Sequence, residues 1–159
     1  MYDFKNKFVL ITGATGSLGH LLCYSFAASG ARIGVHGKDE KKVAKIVTEL
    51  NQAGFSATTC VADLRDTKQI SAMFTDLKQV GGVDILINNA ASRPCQKFSE
   101  ISSYEFDNVH SINSRGTFFV SQLAINQMQE KGGGALVHIS SIVAVKALPR
   151  FVGAHYASI

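Results

Sequence analysis

The apolar positions of this chain follow two alternating periods. Short runs from Phe8 to Thr12, Arg32 to His36, Ser56 to Val61, Asp84 to Ile87 and Ala135 to Ser140 predict five strands. Between them the spacing changes to three and four. Leu21, Leu22, Ser25 and Phe26 mark a first helix stopped by Gly30. Val43, Ile46, Val47 and Leu50 mark a second, which opens near Asp39 and closes at Gly54. Asp66 caps a third, striped by Ile70, Met73, Phe74 and Leu77 and ended by Gly81-Gly82. Ser102 and Glu105 have the spacing of a capping box and open one long helix that reaches Glu130, and a further helix is expected from Gly153. Strands that alternate with helices imply right-handed crossovers and a parallel sheet covered on both faces. The expected fold is a doubly wound α/β unit of about five strands, a single domain over residues 1–159.

The segment joining the first strand to the first helix is Ile11-Thr12-Gly13-Ala14-Thr15-Gly16-Ser17-Leu18-Gly19. A plain turn has little use for three glycines at this spacing, whereas a dinucleotide site has one for each. Gly13 permits the tight turn, Gly16 removes a side chain where a ligand approaches, and Gly19 lets the helix pack closely. The unpaired N–H groups and positive dipole end at the start of the helix then receive a diphosphate. On this reading Gly13→Val blocks binding and leaves helix content intact. The second strand ends His36-Gly37-Lys38, with glycine where an NAD site commonly places an acid for the ribose 2′-hydroxyl. Lys38 suits a 2′-phosphate, which favours NADP(H) over NAD(H); the competing reading assigns the ribose to Asp39.

Composition removes other classes. Hydrophobic residues make up 46% of the chain and charged residues 18%, a globular balance rather than a disordered one. No apolar run is long enough to span a bilayer, and the start of the chain lacks a signal-peptide layout, so no membrane partner is expected. Cys23, Cys60 and Cys95 are odd in number and dispersed, which suits a reducing cytoplasm better than a disulfide scaffold or a zinc site. The net charge of +4 is interleaved with acids, as in Lys38-Asp39-Glu40-Lys41-Lys42, and argues against a nucleic-acid groove. His138, expected in a buried strand, and His110, on a helix, have no ligand-bearing neighbours in sequence, so no metal site is expected.

These pieces, taken in order, resemble the short-chain dehydrogenase/reductase family, whose cofactor domain is a Rossmann fold. The likeness covers essentially the whole chain. TGATGSLG is similar to the family's cofactor loop, contributing Gly13, Thr15, Gly16, Ser17, Leu18 and Gly19. Asp63 and Leu64 resemble its adenine contact after the third strand, and Asn88-Asn89-Ala90-Ala91 its NNAG motif, with Asn89, Ala90 and Ala91 toward the cofactor. Asn113 resembles the active-site asparagine, Ser140-Ser141 the catalytic serine segment, and Tyr156-Ala157-Ser158 the opening of YxxxK.

The resemblance, which extends generically to 3-oxoacyl-carrier-protein reductases, sugar-alcohol dehydrogenases and similar enzymes, implies hydride transfer between nicotinamide and a small carbonyl or alcohol substrate. Tyr156 is then the proton donor, Ser141 polarises the substrate oxygen, and Asn113 holds a water leading to the family's lysine. A phenol with a reference pKa of about 10 needs that cation nearby. The lysine position falls at 160, one past Ile159, so the fold is expected to be C-terminally incomplete. The usual loop is G-x-x-x-G-x-G, and Ser17 stands where its middle glycine would be. The long helix resembles one used for dimer contacts, which implies a homo-oligomer. The alternative function is a non-catalytic dinucleotide-binding or interaction module lacking the lysine.

Overall fold

The computed structural model describes residues 3–94 and 96–142. In chain order it contains β1 (Phe8–Ile11), α1 (Ser17–Ala28), β2 (Arg32–Gly37), α2 (Glu40–Gln52), β3 (Ser56–Val61), α3 (Thr67–Gln79), β4 (Ile85–Asn88), α4 (Ser103–His110), α5 (Thr117–Glu130) and β5 (Ala135–His138). The strands form one parallel sheet in the order β3-β2-β1-β4-β5, with Val9 paired to Ile33 on one side and Ile85 on the other. The chain winds outward from β1 to β3, then returns to the other side of β1 and winds outward again. The carboxyl ends of β1 and β4 therefore border the point where the winding reverses, where open α/β sheets take ligands.

Strand alternation splits the core into two layers. Phe8 and Leu10 point to the side packed by Ile70, Met73, Phe74 and Leu77 of α3 and by Val120, Ala124 and Met128 of α5. Val9 and Ile11 point to the side packed by Cys23 and Ala27 of α1 and by Val43, Ile46 and Leu50 of α2. The expected stripes of α2 and α3 are thus the packed faces. Asp39 and Asp66 cap these two helices through side-chain bonds to the N–H groups of Lys42 and Lys68.

α1 departs from its expected stripe. Leu21 is 63% exposed, and the buried line is Gly19, Cys23 and Ala27. A β-carbon on Gly19 would lie 2.4 Å from the Gly13 carbonyl oxygen and 2.7 Å from the Ala14 α-carbon. The helix approaches the β1 exit too closely for large residues, and leucine is turned outward. Burial in this seam pushes the Cys23 thiol pKa up to about 12.

The helix expected to run unbroken from Ser102 to Glu130 contains a π-helical turn at Ser111–Gly116 between α4 and α5. The capping box at Ser102 and Glu105 is present. Apolar periodicity does not record one widened turn inside a continuing helix, and tertiary contacts decide it here. Asn113 accepts from the Ser92 N–H at 2.7 Å and donates to the Ser92 carbonyl at 2.9 Å. A β-carbon on Gly116 would come within 2.5 Å of the Leu64 carbonyl.

β5 is shorter than expected, and His138 is exposed rather than buried, because β5 is the last strand in the sheet order among the described residues. Cys95, Tyr156 and the helix expected from Gly153 lie outside the described residues.

The packing of α1 gives a direct comparison. Cys23→Leu is expected to destabilise the fold by about 1–3 kcal/mol through overpacking, and Leu21→Ala to stay within about 0.5 kcal/mol. Urea unfolding midpoints of the two variants check this order.

Candidate functional site

The carboxyl ends of the strands enclose a cavity of about 760 Å³. Its wall combines the loop residues Gly13 and Thr15 to Gly19, Lys38 after β2, Asp63 and Leu64 after β3, Asn89 to Ala91 after β4, and Ser140 and Ser141 after β5. The residues singled out in the sequence for a coenzyme thus meet around one space, with Ser141 beside them. Asn113 is not part of the wall. Its side-chain amide is engaged with the Ser92 backbone.

The floor is built by hydrogen bonds between the exits of β1 and β4. The Thr12 hydroxyl accepts from the N–H groups of Asn89 (2.9 Å) and Ala90 (3.0 Å). The Asn89 amide donates back to the carbonyls of Thr12 (2.9 Å) and Gly13 (3.2 Å). Gly13 adopts φ +64°, and a β-carbon there would lie 2.7 Å from the Ala90 α-carbon. Gly13→Val is therefore expected to strain the backbone and collide with the β4 exit. The substitution would disturb the fold as well as the cavity, contrary to the expectation from sequence.

Gly16 supplies the cleaner opening. Its backbone is extended (φ −86°), and an added β-carbon would meet only the Gly13 carbonyl, at 3.5 Å. Gly16 is also the N-cap of α1 and provides no side-chain cap, so the first N–H groups of the helix, from Ser17, Leu18 and Gly19, lack an intrahelical acceptor. An anion placed there receives those donors and the positive end of the helix dipole. The residues present therefore fit a phosphate-bearing ligand at this spot.

At the far side, Asp63 accepts from the Arg65 guanidinium at 3.0 Å, and this bond, with the nearby charges of Arg65 and Lys38, holds its carboxyl below the usual range. Arg65 also reaches Asn108 at 3.2 Å. Lys38 and Asp63 thus place a cation and an acceptor at the end of the cavity under β2 and β3.

Several wall residues carry no signal that the sequence motifs could expose: His36, Ser92, Arg93, Ile112 and Ile139. His36 is 2% exposed and accepts from the Gly13 N–H through Nδ1 at 3.3 Å, beneath the loop. Its Nε2 is buried and has no hydrogen-bond partner among the described residues. Burial lowers its pKa to about 4, with the Ala62 backbone and then the Asp63 charge partly offsetting the effect. The one hint in the sequence is a polar residue in a strand that past Arg32 is otherwise apolar and buried. Among the described residues no cluster of His, Cys, Asp and Glu could hold a metal ion, and no helix is long and apolar enough to cross a membrane.

A family model described as short chain dehydrogenase matches residues 7–158. An uncharacterized oxidoreductase of Thermotoga maritima is 33% identical over 149 residues, covering 93% of this chain and 59% of that protein. The structure of a gluconate 5-dehydrogenase from Burkholderia cenocepacia, in complex with NADP and tartrate, superposes with a TM-score of 0.91 at 27% identity, covering 98% of this chain and 61% of that one. A 3-oxoacyl-[acyl-carrier protein] reductase from Brucella melitensis with bound NAD gives a TM-score of 0.89 at 29% identity, covering 97% and 60%. The chain spans about three fifths of the length of these relatives.

The buried imidazole makes stability depend on pH. The unfolded chain takes up the His36 proton near the reference value of 6.5, whereas the folded chain resists it down to about 4. The contribution of this group is therefore complete above 6.5 and is lost as the pH drops toward 4, a fall of about 3 kcal/mol. His36→Asn, which keeps an acceptor near the Nδ1 position and does not titrate, is expected to flatten this part of the profile. Thermal melts between pH 4 and 7 check it.

Proposed function

The chain belongs to the short chain dehydrogenase family, and on that footing we propose that it binds a nicotinamide dinucleotide and carries the coenzyme half of an oxidoreductase acting on a small carbonyl or alcohol compound. The observation that carries this reading is the uncapped start of α1, open at Gly16 and floored by the Thr12–Asn89 bonds. Two similar structures carry NADP and NAD, which supports a coenzyme of this class in the same cavity. The relatives are dehydrogenases and reductases, which supports turnover over a non-catalytic binding module.

In this reading the N–H groups of Ser17, Leu18 and Gly19 hold the diphosphate, where they need no reorganisation to receive charge. Lys38 faces the adenosine ribose and favours the 2′-phosphate of NADP(H), while Asp63 accepts from the adenine edge. The coenzyme, when bound, supplies or accepts a hydride at its nicotinamide ring. Ser141 donates to the substrate oxygen as charge develops on it. Tyr156, by its place in the family's motif, moves the proton to or from that oxygen. Asn113 acts at one remove: by clamping both backbone groups of Ser92 it fixes the strand exit beside the reacting end. The exposed apolar residues Phe106, Phe118 and Ile125 along α4 and α5 support self-association through this helix pair.

Titration of the chain with NADPH, followed by nicotinamide fluorescence, tests the assignment. Gly16→Val is expected to weaken binding on the order of tenfold or more while costing the fold no more than about 1 kcal/mol, the N-cap preference for glycine over valine. Unchanged affinity would falsify the placement of the diphosphate at α1. Lys38→Ala should lower NADPH affinity by about tenfold, the scale of one charge-assisted bond, and leave NADH within about twofold. Equal losses for the two coenzymes would remove Lys38 from the 2′-phosphate.

A further inference from the structure

Resting on the coenzyme assignment above, we infer that Arg93 forms a second anion site in the cavity and that the substrate carries an oxyanion, a carboxylate or a phosphate, beside its reacting alcohol or carbonyl. The charged residues of the described wall are Lys38, Asp63 and Arg93. Lys38 follows β2 and Asp63 follows β3, and the two charges feel each other. Arg93 follows β4, on the other side of β1 in the sheet order. Strands lie about 4.8 Å apart, so the exits of β2 and β4 are separated by about 10 Å, and the two cations serve different parts of whatever fills the space.

The surroundings of Arg93 are those of a reading group rather than a structural one. It is exposed, and none of the ion pairs or hydrogen bonds among the described residues engages its guanidinium. The preceding residue, Ser92, is fixed by Asn113 at both its N–H and its carbonyl, and the following residue is Pro94, which restricts Arg93 to extended backbone. The guanidinium therefore stands on a held segment of chain. The wall on this side is completed by Ile112, Ile139, Ser140 and Ser141, which add apolar surface and hydroxyls but no acid. A planar, permanently charged fork with no acid on its side of the described wall matches the two oxygens of a carboxylate or phosphate. Its charge is close to the end where Ser141 would meet the reacting oxygen, and far from the end that Lys38 serves.

The experiment uses the chain first saturated with NADPH. It is then titrated with gluconate, glucitol 6-phosphate and glucitol, three compounds on one six-carbon skeleton that differ in their charged group, and binding is read by nicotinamide fluorescence and equilibrium dialysis. At least one anion is expected to bind tenfold or more tightly than glucitol, and the preferred anion separates carboxylate from phosphate. Arg93→Ala should abolish the preference, Arg93→Lys should retain part of it, and neither should alter NADPH affinity. Anions that bind no better than glucitol, or not at all, overturn the inference and leave the coenzyme assignment standing. A preference that survives Arg93→Ala overturns it as well. Loss of NADPH affinity in Arg93→Ala gives the guanidinium to the coenzyme and likewise overturns the second anion site. Failure of the wild-type chain to take up NADPH in the first step defeats the coenzyme assignment, and this inference with it.

Discussion

The hydrogen bonds between Thr12 and the Asn89–Ala90 backbone and side chain set the geometry on which everything else at the top of the sheet depends. Two strands that end side by side leave their last polar groups without ladder partners, and buried groups of that kind are costly if unpaired. Here the Thr12 hydroxyl and the Asn89 amide take over from the ladder. They bring the turn after β1 into van der Waals contact with the turn after β4, close enough that Gly13 must lack a side chain. The glycine loop is thus shaped from the protein side before any ligand is considered.

That constraint explains why α1 is built unlike its neighbours. α2 and α3 begin with aspartate caps that quench their first N–H groups. α1 begins with Gly16 and forgoes a side-chain cap at a cost of only a few tenths of a kcal/mol. Its buried line of Gly19, Cys23 and Ala27 brings the helix axis near the β1 exit, and with it the open end that faces the cavity. His36 supports the loop from below as a neutral acceptor, a role that its burial protects by disfavouring the charged ring.

The parts of this arrangement that are legible in the sequence are those governed by one residue's neighbours in the chain. Runs of β-branched residues locate β1 to β4, and the stripes Val43, Ile46, Leu50 and Ile70, Met73, Phe74, Leu77 give the inner faces of α2 and α3. The coenzyme loop is readable because its glycines stand in a fixed relation to a strand and a helix. What the sequence hides is decided by distant contacts. Leucine at position 21 obeys helical spacing but cannot fit against a seam that admits only small residues. His138 lies in a strand with apolar residues on its neighbours, yet the strand's place at the end of the sheet order leaves it exposed. His36 and Arg93 carry no motif at all. Their interest comes from what the fold places beside them.

The π-helical turn has a consequence for how this region can change length. It lets a single rod touch the turn after β3 through Arg115 and Gly116, and the turn after β4 through Asn113, while α5 still lays Val120, Ala124 and Met128 on the sheet. Removing one residue between 111 and 116 would restore an ordinary helix and leave α4 and α5 close to their present register, because a widened turn holds one residue more than an α-turn. What would be lost is the widened turn itself, from which Asn113 reaches Ser92 and Gly116 approaches Leu64. A loop absorbs insertions and deletions; this stretch, though it lies between two helices, does not have that tolerance, and its residue count is as much a part of the site as its side chains.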